Sequence, residues 1–128
     1  GSVIVTTPQD IALLDAKKGL AMFEKVNIPI LGIVENMSLH ICSNCGHEEA
    51  IFGVGGGEQM AKDANVNFLG ALPLEMEIRT DVDEGVPTVA KDPEGRVAEI
   101  YKEIARKVSA KLTQQDKALG AFPSITIE

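Results

Sequence analysis

An α/β fold built on a parallel sheet is predicted by two observations on this 128-residue chain. Three short runs, Val3-Ile-Val-Thr6, Ile28-Pro-Ile-Leu-Gly-Ile-Val34 and Phe68-Leu-Gly-Ala-Leu72, are apolar without alternation, as strands buried on both faces require. Between and after them lie stretches whose apolar residues recur at helical spacing. Alternating strand and helix in this order implies right-handed crossovers, with ligands binding outside the carboxyl ends of the strands.

The first strand, Val3 to Thr6, leads into a helix start in which Thr7 can cap, Pro8 suits the first helical position and Asp10 completes a capping-box spacing. Leu13, Ala16, Leu20 and Phe23 give that helix one apolar face, and Asn27 ends it. The second strand, Ile28 to Val34, places Glu35-Asn36 at its carboxyl end. After a cysteine-containing loop and the run Gly53-Val-Gly-Gly-Gly57, a short helix from Glu58 to Asp63 precedes the third strand, which Pro73 closes. A polar helix over Glu75–Val82 stops at Gly85. The last helix is capped by Asp92 and opened by Pro93, with Val97, Ile100, Ile104, Val108 and Leu112 along one face. The tail residues Ser124-Ile-Thr-Ile127 suit an edge strand or a disordered end. Residues 3–112 therefore read as one domain and 113–128 as a tail.

Composition narrows the function classes. A net charge of −7 without a compensating Lys/Arg cluster argues against binding a nucleic-acid backbone. No apolar run approaches the roughly 20 residues of a membrane span. Gly1-Ser2 resembles a cloning remnant, and no signal peptide is visible. One close cysteine pair without a disulfide framework favours a reducing cytoplasm.

Both cysteines and both histidines fall within His40-Ile-Cys-Ser-Asn-Cys-Gly-His47. A redox pair would sit at a helix N-terminus, whereas here Gly46 follows and no amphipathic helix begins. Metal ligation suits Cys42 and Cys45 better, since this spacing lets both sulfurs face one ion and Gly46 permits the turn. Two thiols are half of a tetrahedral zinc site or of an iron–sulfur cluster's ligand set. His40 and His47 read as loop or supporting groups rather than as ligands completing one tetrahedron. Residues 37–57 contain few apolar anchors, so the segment is expected to be mobile without metal. The glycine run lacks the Lys and Ser/Thr of a phosphate loop, being followed by Glu58-Gln59, and reads as a flexible lead-in to a helix. Asn36 has an amide that complements an adenine edge, although taken alone a strand-end Asn reads as a turn residue.

Val5-Thr-Thr-Pro-Gln9, Asp15, Ile30-Leu-Gly-Ile-Val-Glu-Asn-Met-Ser38, Cys42-Ser-Asn-Cys-Gly46, Ile51-Phe-Gly53, Leu69-Gly-Ala-Leu-Pro-Leu74 and Gly85-Val-Pro87 occur in this order. Together, from about Val3 to Leu112, they resemble the Mrp/ApbC/Nbp family of iron–sulfur cluster carrier ATPases, relatives of MinD in the deviant Walker A class. The resemblance implies a partial three-layer sheet of the P-loop NTPase type lacking its N-terminal half. It also implies a four-iron four-sulfur cluster bridging Cys42 and Cys45 of two subunits, delivery of that cluster to recipient apoproteins, and ATP with Mg²⁺ in the full-length parent. Asn36, Pro73 and Leu74 would border the adenine. The Walker A lysine and the switch segment are absent, so this chain alone is expected to show no ATPase activity and to expose an apolar edge at Val3–Thr6. A structural zinc-binding interaction module is the rival reading, with zinc also a substitute for iron in the carrier.

Overall fold

The computed structural model describes residues 1–118, so the strand suggested at Ser124–Ile127 lies outside the described residues. In chain order the elements are β1 (Ser2–Thr6), α1 (Asp10–Lys25), β2 (Ile30–Glu35), β3 (His40–Ile41), β4 (Glu48–Glu49), α2 (Gly56–Asp63), β5 (Phe68–Ala71), α3 (Met76–Asp83), α4 (Thr88–Lys91) and α5 (Arg96–Ala118). Strands β1, β2 and β5 form a parallel sheet in the order β1-β2-β5, with Ile4 opposite Ile33 and Ile33 opposite Phe68. The predicted α/β class and parallel sheet are present.

Neighbouring residues along each strand point to opposite faces, and each face has its own helical cover. On one side Ile4 and Ile33 pack with Leu20 of α1 and Met60 and Ala61 of α2. On the other, Val34, Leu69 and Leu72 pack against Ile100, Tyr101, Ile104 and Val108. Burial from both sides explains why Leu31 to Val34 is apolar without a break. Of the α5 face read from the sequence, Ile100, Ile104 and Val108 meet the sheet while Leu112 is exposed, and α5 runs on to Ala118.

Several boundaries differ from those expected, each for a local reason. Helix α1 begins at Asp10 with Gln9 in the capping position, because the Thr7 hydroxyl donates to the Gln9 side chain instead of accepting from the helix. Strand β2 begins at Ile30 rather than Ile28. Asn27 takes the left-handed conformation (φ 56°), and the N–H groups of Asn27 and Ile28 return to the carbonyls of Glu24 and Phe23. This double closure is a Schellman motif, and it recurs at Asn65-Val66 after α2 and at Gly85-Val86 after α3. Helix α2 gains Gly56 and Gly57 at its start. Helix α5 begins at Arg96, not at Pro93, since Asp92 to Gly95 form a turn in which the Gly95 N–H donates to the Asp92 carbonyl. The short helix α4, which was not anticipated, is pinned to α3 by the buried Asp81 carboxylate. That group accepts from Thr88 Oγ1 at 2.8 Å and Lys91 Nζ at 2.6 Å.

Among the described residues β1 pairs only with β2, leaving its other edge open as the sequence suggested. Val5, on this edge strand, is 58% exposed. A cleft of about 530 Å³ runs along it, lined by Val3, Val5, Thr7, Asp15 and Asn36.

Candidate functional site

The carboxyl ends of β1, β2 and β5 meet at one place, and the cysteine segment springs from it. From the end of β2 into the first turn of α2 the chain makes an excursion over residues 36–57, built around a small hairpin where a loop was expected. His40 pairs with Glu49 and Ile41 with Glu48, antiparallel. The turn is closed by the Cys42 N–H donating to the His47 carbonyl (2.9 Å) and the Gly46 N–H donating to the Cys42 carbonyl (2.8 Å). Gly46 at φ 71° supplies the left-handed step that this return needs.

Cys42 is half-buried, Cys45 is exposed, and both are free thiols. The backbone N–H of Asn44, and then that of Cys45, point at the Cys42 sulfur and hold its thiol below the ordinary value of 9.0. The Cys45 side chain acts in the same direction, burial opposes it, and His40 contributes the smallest lowering effect. Amide donors aimed at sulfur stabilise the negative charge of a thiolate, the form that a metal ion takes up.

His40 is engaged elsewhere. Its Nδ1 lies 2.9 Å from the Leu74 carbonyl, and since a carbonyl only accepts, Nδ1 carries the proton. Among the described residues no three His, Cys, Asp or Glu side chains are grouped so as to hold a metal ion. One copy of the hairpin thus offers two thiols and no third ligand beside them. A wider cleft of about 710 Å³ flanks the hairpin, lined by His40, Cys42, Glu75, Thr80 and Arg96 among others.

Asn36 follows β2, and its N–H donates to the Thr6 carbonyl at 2.7 Å. Its Oδ1 accepts from the Met37 N–H at 2.9 Å, with Met37 left-handed at φ 56°. The two Nδ2 hydrogens and the second Oδ1 lone pair have no hydrogen-bond partner among the described residues, and Asn36 lines the open cleft. Pro73 is buried, and Leu74 gives both backbone groups to the base of the hairpin, its N–H to Leu39 and its carbonyl to His40. The structure therefore sets Asn36 beside the β1 edge and Pro73-Leu74 beside the hairpin, on neighbouring strand ends.

Sequence reasoning missed Glu35. Its side chain is buried to 1% exposure, yet the carboxylate accepts three hydrogen bonds: from Gly55 N–H (3.1 Å), Gly57 N–H (2.7 Å) and Ser38 Oγ (2.5 Å). The glycine run is thus not a slack lead-in. It forms an anion nest at the start of α2, filled from within by Glu35. Gly55 is left-handed (φ 82°), and a Cβ on Gly57 would lie 3.0 Å from Glu35 Cβ. A charged residue at the end of an otherwise apolar buried strand was the available signal.

Known proteins bear on this arrangement. The family model of the NUBPL iron-transfer P-loop NTPases matches residues 1–109. The chain belongs to that family. It is 56% identical over 119 residues to the iron-sulfur cluster carrier protein of Escherichia coli, covering 93% of this chain and 32% of that protein. It is 46% identical over 112 residues to the mouse iron-sulfur cluster transfer protein NUBPL, covering 88% of this chain and 35% of that protein. The chain thus spans about a third of the length of these curated relatives. Among solved structures, the nucleotide-binding protein in complex with ADP from Archaeoglobus fulgidus is similar at a TM-score of 0.58 and 31% identity, over 73% of this chain and 37% of that one. The Pyrococcus furiosus cell division ATPase MinD reaches a TM-score of 0.64 at 24% identity, over 86% and 43%, a likeness of fold. The sheet and its helices are part of a P-loop NTPase fold.

The donor geometry at Cys42 makes a prediction about reactivity. Alkylation of Cys42, followed against pH by mass spectrometry in the metal-free protein, should show a midpoint below 9.0. Asn44→Pro removes the first of the N–H donors and should move that midpoint upward. A midpoint at or above 9.0 in the unaltered chain would show that these amides do not stabilise the thiolate.

Proposed function

We propose that the hairpin holds half of an iron–sulfur cluster site, and that the parent protein carries the cluster to recipient apoproteins. Cys42 and Cys45 supply two thiolates, and a four-iron four-sulfur cluster takes four. A two-fold pair of chains brings the hairpins together and completes the set. The observation that carries this reading is a CxxC turn with backbone amides aimed at one sulfur and, among the described residues, no third ligand grouped with the pair. It is supported by membership in an iron-transfer family and by relatives named as iron-sulfur cluster carriers. In this reading residues 3–112 form the C-terminal portion of a P-loop ATPase domain.

The role of each group follows from its chemistry. Thiolate sulfur binds iron while the N–H groups of Asn44 and Cys45 offset its charge, which tunes how tightly the cluster is kept. The exposure of Cys45 leaves one side of the site open to an acceptor's ligands. Asn36 offers the donor and acceptor pair that an adenine edge presents in reverse, and Pro73-Leu74 forms part of the same rim. The phosphates of ATP are held by the rest of the parent domain, because the Gly55 and Gly57 amides are already occupied by Glu35.

Anaerobic reconstitution with iron and sulfide tests the metal assignment. Visible absorption from a cluster is expected in the unaltered chain and should be lost in Cys42→Ser and in Cys45→Ser. Retention of the band by the double variant contradicts the assignment, and binding of colourless zinc alone favours the structural rival. For the base edge, calorimetry with ATP should give a dissociation constant no tighter than about millimolar, near −4 kcal/mol. A micromolar constant would mean that phosphate finds a cradle within these residues.

A further inference from the structure

We propose that Glu35 is a positioning residue for the metal hairpin: its carboxylate straps together the two roots of the 36–57 excursion and so fixes where Cys42 and Cys45 are presented beside the Asn36 edge. The inference rests on reading the two cysteines as metal ligands.

The departing root follows β2 directly. Asn36 and Ser38 are held there by N–H bonds to the carbonyls of Thr6 and Leu72, and Leu39 accepts from Leu74. The returning root has far less. Among the described residues, its hydrogen bonds to anything beyond the hairpin and α2 are the two from Gly55 and Gly57 to Glu35. The same carboxylate accepts from Ser38 on the departing root. One side chain thereby joins segments twenty residues apart in sequence. The hairpin between them has strands of two residues each, too short to hold a position alone. Its placement is therefore inherited from its roots.

Only an acceptor-only group of this size meets the requirement. A carboxylate offers about four lone-pair sites and no proton, so three donors converge on it without conflict. A glutamine of equal shape keeps one oxygen and turns an NH₂ group toward N–H donors, leaving a buried donor unpaired. The packing beside it is close, since a Cβ on Gly57 would lie 3.0 Å from Glu35 Cβ. The strap also begins one residue before Asn36, so the base edge and the metal hairpin share a single anchor.

The test is Glu35→Gln, with Ser38→Ala as a milder variant that removes one strand of the strap and leaves both glycine bonds. Cobalt(II) serves as the probe, read by its thiolate charge-transfer band, together with amide exchange in the metal-free protein. In Glu35→Gln the Cys42 and Gly46 amides should exchange faster by on the order of tenfold, and cobalt affinity should fall by a similar factor. The amide of Ile33, which donates to Asn67 within the sheet, should be unchanged. Ser38→Ala should show the same pattern at smaller size. Equal acceleration at Ile33 and the hairpin with unaltered cobalt affinity would make Glu35 a general stability residue and overturn the proposal. The proposal is likewise overturned if Ser38→Ala changes neither hairpin exchange nor affinity. Absence of any thiolate band in the unaltered chain would instead remove the metal reading on which the strap depends.

Discussion

A carboxylate buried at the end of the central strand has to be surrounded by donors, and the arrangement around it follows from how that demand is met. An unpaired charge in such a place costs several kcal/mol, on the order of the stability of a small domain. Glu35 meets the demand with two glycine amides and one hydroxyl. The consequence is that a helix start, a strand end and a serine are brought to one point. Glycine is needed at 55 because the nest is left-handed there, and at 57 because a side chain would collide with Glu35 itself. Everything between Asn36 and Gly55 is then a closed excursion with fixed ends.

That closure places the chemistry. The hairpin carries its cysteines on a turn whose own amides lower the Cys42 pKa, a local device that favours a thiolate. Its base is tied to β5 through Leu74, which receives His40 and donates to Leu39. Asn36 and the cysteine turn both follow β2, with Leu74 after β5 at their base, at the strand ends where ligands of parallel α/β sheets are expected. Among the described residues the outer edge of β1 is unpaired, and the exposed Val5 lies on it.

Strand β2 was legible because burial on both faces leaves an unbroken apolar run, β1 and β5 because they are short apolar runs between helical stretches, and α5 because Val97 to Val108 repeat at helical spacing. The cysteine pair was legible from residue type and spacing alone. Two helix ends were legible too, since Asn27 and Gly85, read as stops, take the left-handed closing positions. The starts of α1 and α5 were not, because Thr7 bonds to Gln9, and Asp92 to Gly95 form a turn ahead of the helix. The hairpin was missed because Glu48-Glu49 has no strand preference, and its pairing is imposed by the turn. The meaning of the glycine run was missed because its acceptor lies twenty residues earlier. Composition shows that glycines permit a close approach, but it does not name what approaches.

The central claim is that one chain carries half of a cluster site. Native mass spectrometry of anaerobically reconstituted protein tests it most directly. The account predicts a species of twice the 13.6 kDa chain mass carrying one set of four irons and four sulfides, absent before reconstitution. Iron bound stoichiometrically to single chains would contradict it.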